Sequence, residues 1–128
     1  MLVHYPTDEI EEKFNRLVDI ILFIKKSSSP LLQSTSNEEV SLVFENVVDQ
    51  MAFELYFEKH MKELEIDILQ YFKFPDLNAF SGNSEKKEAV IKSWYELQEK
   101  ENKIRNRILV ADSRSWIIKR INQTVNQG

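Results

Sequence analysis

The chain has 128 residues, a formal net charge of −4 and no cysteine. That length suits one domain with its own core, and the missing cysteine excludes disulfides and thiolate zinc sites. Residues 1–7 lack a secretory leader's basic start and apolar run, and the longest apolar run, 20–24, is far below the roughly 20 residues that cross a bilayer. A cytoplasmic protein with no membrane partner is expected.

Glycine stands only at 82 and 128, and proline only at 6, 30 and 75. Long stretches free of both, with apolar residues three and four apart, predict helices. The first starts after Thr7, a residue able to cap the first amides, with Asp8 and Glu9 at the positive end of its dipole. Ile10, Phe14, Leu17, Val18, Ile21 and Ile24 carry its apolar spacing, and Lys25 and Lys26 suit its C-terminal end. A serine-rich linker over 27–36 follows, closed to helix by Pro30.

Ser36 or Asn37 caps the second helix, whose stripe is Val40, Val43, Phe44, Val47, Val48, Met51 and Leu55. The pattern changes phase around Tyr56–Glu58, which predicts a bend and a shorter helical region from Glu58 to Leu64. Helical turns continue to Phe74, and 75–83 reads as a loop. Ser84, with Glu85 and Glu88 behind it, starts a further helix to about Lys100 that buries Val90, Ile91, Trp94 and Leu97. Asn102 to Ala111 places Ile104, Ile108 and Ala111 on one face. The last segment, Ser113 to Ile121, fits a helix or a short strand. The expected fold is an all-α bundle of about five or six helices in a single domain, the first two long and antiparallel.

Candidate chemistry concentrates in two places. Glu54, Glu58, His60 and Glu63 share the second helical region, yet His60 lies two residues from Glu58. Metal ligands on one helix need a spacing of three or four, so a solvated rim is the expected reading. No Gly-x-Ser-x-Gly elbow and no glycine-rich phosphate loop occur. Catalytic, metal and cofactor residues are therefore expected to be absent.

The second place is the C-terminal region. Residues 1–99 hold 10 Lys and Arg against 19 Asp and Glu, whereas residues 100–128 hold 7 against 2. Lys100, Lys103, Arg105, Arg107, Arg114, Lys119 and Arg120 could meet a phosphate backbone, positioning a duplex without reading its sequence. Lys100, Lys103 and Arg107 have the spacing of one helical stripe, and Trp94 and Trp116 could stack on bases. The alternative is a plain solvated face.

The stretch from Val47 to Phe72 resembles a segment near the C-terminus of TaqI-like adenine-specific DNA methyltransferases, including the type IIG enzymes that fuse endonuclease and methylase. Phe44, Glu45, Val48, Asp49, Met51, Glu54, Leu55, Tyr56, Phe57, Ile66 to Leu69 and Tyr71 fit that pattern. Pro6, Glu11, Phe14, Leu17, Val18, Asp19, Ile21, Leu22, Lys25 and Lys26 are similar to the helix that leaves the specificity domain there. The resemblance covers about residues 5–73.

The family's Asn-Pro-Pro-Tyr motif, cofactor loop and endonuclease motif do not occur in this chain. The resemblance therefore implies a non-catalytic C-terminal helical domain of a type II restriction–modification methylase, or a stand-alone remnant of one. Its partners would be the rest of the parent methyltransferase and double-stranded DNA, with S-adenosylmethionine bound in the parent. The matching residues read as architecture, with Glu54 facing solvent or acting as a cap. The rival class is a free-standing helical interaction module.

Overall fold

The structure is a computed structural model that describes residues 7–115 and 117–121; Pro6, part of the resembling pattern, and Trp116, a candidate for base stacking, lie outside the described residues. No strand occurs among the described residues. Four long helices follow one another: α1 (Asp8–Lys26), α2 (Asn37–Glu63), α3 (Asn83–Gln98) and α4 (Lys103–Arg114). Two 3-10 turns, Leu69–Tyr71 and Leu77–Ala79, lie between α2 and α3, and a helical turn over 117–121 follows α4. The final segment is thus helical where it is described, and the bundle is all-α as the spacing predicts.

The ends of α1 form as their chemistry dictates. The Thr7 side chain accepts from the Ile10 amide, acids fill the first turn, and Lys25 and Lys26 close the last. Its core face, Leu17, Ile20 and Ile24, is fully buried. The linker is pinned rather than loose. Asn37 Oδ1 accepts from the Leu31 amide at 2.9 Å while Asn37 Nδ2 donates to the Ser29 carbonyl at 3.1 Å. Ser36 then caps α2 by accepting from the Glu39 amide. The two helices run antiparallel, with Lys25 paired to Glu45 at 2.9 Å near one end.

The expected bend falls at Phe57, whose φ of −129° and ψ of 36° break the helical geometry. The chain resumes as α2 rather than as a separate helix. Before the bend, Val40, Phe44, Val47 and Met51 share one core with α1, α3, Phe74 and Leu77. Phe44 meets Phe74 edge to face at 5.9 Å, an arrangement that adds about 1 kcal/mol beyond area burial. Past the bend, Met61 joins a second core with Ile66, Ala111 and Ile118. The change of phase hands one helix from the first core to the second.

At its C-terminus α2 closes through a paired hydrogen-bond motif. The Ile66 amide donates to the Met61 carbonyl at 2.9 Å and the Glu65 amide to the Lys62 carbonyl at 3.2 Å. Ile66 and Met61 pack together in the second core. Glu65 occupies the left-handed position with φ 56°, where glycine is the usual residue and a side chain costs roughly 1 kcal/mol. Glu65→Gly is expected to raise stability by about 0.5 kcal/mol, the relief being partly offset by added unfolded-state entropy. Glu65→Val should lower it by about 1–2 kcal/mol. Urea midpoints check both, and a destabilised glycine variant contradicts the expectation.

Three details differ from the sequence expectation. The N-cap of α3 is Gly82, without a side-chain cap bond, and Ser84 lies inside the first turn. Ser93 sits between Val90 and Leu97 on the buried face of α3, while Ile91 and Trp94 are half-buried at its flanks. Residues 64–74 leave the helix after Leu64 and return to it only as one 3-10 turn. Side chains of α2 hold that segment in place.

Candidate functional site

Gln50 and Glu54 lie one turn apart on α2 and face the segment 66–69. Gln50 Nε2 donates to the Ile66 carbonyl at 3.0 Å. Glu54 Oε1 accepts from the amides of Ile68, at 2.6 Å, and Leu69, at 3.0 Å. One turn of α2 thus serves a stretch of backbone that has no helix or sheet of its own to satisfy it. Glu54 is only 4% exposed, which corrects its expected place on a solvated rim and selects the capping role. Burial raises its pKa above the ordinary 4.5, against the lowering effect of the two amides; Asp67 adds to the rise and Lys62 opposes it.

The residue between these clamped amides and carbonyl, Asp67, is 3% exposed and also committed. Its Oδ1 pairs with Arg107 at 2.8 Å, and its Oδ2 accepts from Gln70 at 2.7 Å. Arg107 also donates to the Asp67 carbonyl at 2.9 Å and to the Tyr71 hydroxyl at 3.2 Å, with its guanidinium 4.7 Å from the Tyr71 ring centre. These bonds tie α4 to the segment that α2 clamps.

The other members of the acidic run have separate tasks. Glu58 pairs with Lys62 one turn on, Glu63 is exposed, and His60 is bonded through Nε2 to Ser115 Oγ at 2.8 Å. Ser115 is fully buried and its hydroxyl accepts from the Ile118 amide, capping the turn 117–121. His60 therefore anchors the C-terminal segment instead of lying on a rim. Asp49, on the outer face of α2, has its pKa raised by partial burial and by Glu45 one turn away.

A cleft of about 620 Å³ opens between the start of α1 and the second half of α2, beside Lys13, Glu54, Lys62, Asp67 and Arg107. Its two most buried carboxylates are those of Glu54 and Asp67, already engaged by backbone amides and by Arg107. Among the described residues, no group of three or more His, Cys, Asp or Glu side chains is placed to hold a metal ion.

The basic residues do not form one stripe. Asn102 accepts from the Arg105 amide and donates to the Glu96 carbonyl, so α3 ends and α4 begins on either side of Lys100. Lys100 lies in the turn, and Lys103 opens α4. Arg107 faces inward to Asp67, which takes it out of the set available to phosphate. Arg105 is half-buried and donates to Asn106, while Arg114 is exposed and donates to the Leu64 carbonyl at 3.2 Å. Lys119 and Arg120 are exposed on the last turn. Trp94 packs against the main core and stands edge to face with Tyr95 at 5.1 Å.

Sequence reasoning missed Gln50, Asp67 and the inward turn of Arg107. A carboxylate preceding an apolar pair, as in Asp67-Ile68-Leu69, carries no local sign that its cation lies 40 residues away. Comparison with family models, with curated proteins and with solved structures returned no match. Among the described residues, no helix is long and apolar enough to cross a membrane.

Proposed function

We propose that this chain is a non-catalytic helical domain of an adenine-specific DNA methyltransferase of the TaqI-like type. It would support the target-recognition domain and touch the DNA backbone through Lys100, Lys103, Arg105, Arg114, Lys119 and Arg120. One observation carries the reading. The two halves of the resembling stretch, Glu54 in "ELYF" and Ile68-Leu69 in "DIL", are bonded to each other, with Tyr71 and Asp67 joined through Arg107. A pattern shared for architectural reasons has this property, because its members satisfy one another rather than a substrate. In this reading the chain works in the bacterial cytoplasm, and S-adenosylmethionine belongs to the catalytic part of the parent enzyme.

Fluorescence anisotropy with a short duplex tests the DNA contact. Affinity should fall by about 0.9 log units per log unit of salt for each phosphate engaged, independent of sequence. Lys103→Glu with Lys119→Glu should lower that slope by about two. Arg107→Met should leave it unchanged wherever the fold persists. Absence of binding at low salt contradicts the DNA contact. A catalytic domain bearing Asn-Pro-Pro-Tyr in the same reading frame supports the parentage, and a stop codon and separate promoter immediately upstream contradict it.

A further inference from the structure

Ser115 is the joint between α4 and the turn 117–121. Its amide donates to the Ala111 carbonyl at 2.9 Å, closing α4, and its carbonyl accepts from the Lys119 amide at 3.1 Å, opening the turn. Its hydroxyl oxygen accepts from the Ile118 amide at 3.3 Å and lies 2.8 Å from His60 Nε2. Among the described residues these are the two partners of a hydroxyl on a fully buried residue.

A serine hydroxyl has one proton to give and two lone pairs to receive. The Ile118 amide can only donate, so of these two partners His60 Nε2 alone can take the hydroxyl proton. That direction requires a neutral imidazole with its own proton on Nδ1. A protonated imidazole donates from both nitrogens. Its Nε2–H would then point at the same oxygen as the Ile118 amide, leaving the serine proton buried without an acceptor. Such an orphan shifts a local opening equilibrium by about tenfold.

We infer that His60 and Ser115 form a proton-sensitive latch on the C-terminal turn, engaged while the imidazole is neutral and loosened once it is protonated. Histidine changes charge between about pH 5 and 8. Lys59 and Glu63 flank His60 along α2, Asp112 and Arg114 stand at the end of α4, and Lys119 and Arg120 lie on the turn; all six are exposed. Arg114 also donates to the Leu64 carbonyl, one turn beyond His60. Three cations against one acid on the α4 side oppose an imidazolium, the same direction as the lost bond, though water keeps that contribution small. Ile118 stays packed in the second core, so the loosening falls on the backbone of the turn. The latch is independent of the proposed methyltransferase role; under that role, acid loosens the segment that carries Lys119 and Arg120.

Amide hydrogen exchange by NMR on the full 128-residue chain, without DNA, tests it at about pH 8 and about pH 5, the two ends of that range. Corrected for intrinsic exchange, protection of the Ile118 amide should fall by about tenfold in acid while that of Val47 holds. His60→Gln offers an acceptor oxygen that does not titrate, so its Ile118 protection should be the same at both pH values. His60→Leu removes the acceptor and should show the low protection at both. Imidazole nitrogen shifts at the higher pH should place the His60 proton on Nδ1. A proton on Nε2 there, Ile118 protection indifferent to pH, a fall shared equally by Val47, or a fall that persists in His60→Gln overturns the proposal.

Discussion

Arg107→Met is expected to destabilise the domain by about 3–4 kcal/mol, measured as the change in free energy of urea unfolding. The substitution keeps most of the aliphatic volume, so the loss comes from charge and hydrogen bonds. Asp67, 3% exposed, would keep only Gln70 as a side-chain partner, and its carbonyl would lose a charged donor. Removing one member of a buried pair leaves the other uncompensated in a low-dielectric setting, which is far costlier than losing both. The double variant with Asp67→Asn should therefore recover about 1–2 kcal/mol relative to Arg107→Met alone. No recovery would mean that Arg107 acts through its packing on Tyr71 and not through the carboxylate.

Glu54→Ala should cost about 3 kcal/mol, because it orphans two backbone amides at once, each worth roughly 1–2 kcal/mol when buried without an acceptor. Glu54→Gln keeps an acceptor oxygen and should cost about 1 kcal/mol. The two variants also separate the hydrogen bonds from the charge. With its folded pKa raised above 4.5, Glu54 holds its proton more tightly in the folded state. Its contribution to stability is then greatest below 4.5 and declines as pH rises through the window up to the raised value. Glutamine does not titrate, so the deficit of Glu54→Gln should be largest in acid and shrink toward neutral pH. A deficit that grows toward neutral pH would contradict a carboxyl raised by burial.

How far the sequence speaks for this structure depends on whether a feature is local. Thr7 and Ser36 announce their helices because a cap and its amides lie within three residues. The bend at Phe57 was legible as a change of apolar phase, since the same helix must serve two cores. The cap of α3 was misplaced because Gly82 offers no side chain to recognise, whereas Ser84 looked like a better candidate. Glu54 was ambiguous for a different reason. Its amides lie 14 and 15 residues away in an irregular segment, and a buried carboxylate looks the same in sequence as an exposed one. Arg107 read as part of a basic stripe because charge counting ignores Asp67, its partner across the fold. The Schellman closure at Glu65 escaped for want of its usual glycine.

Both large effects, and the functional reading built on them, require the run of acids and aromatics around Glu54 to hold the segment 66–69 in place. Amide hydrogen exchange at Ile68 and Leu69 measures that hold residue by residue. The account predicts that both amides exchange as slowly as those of Val47 and Met51 in the middle of α2, and that Glu54→Ala frees these two first. Exchange of Ile68 and Leu69 at rates near those of an unstructured chain in the unsubstituted protein would contradict it.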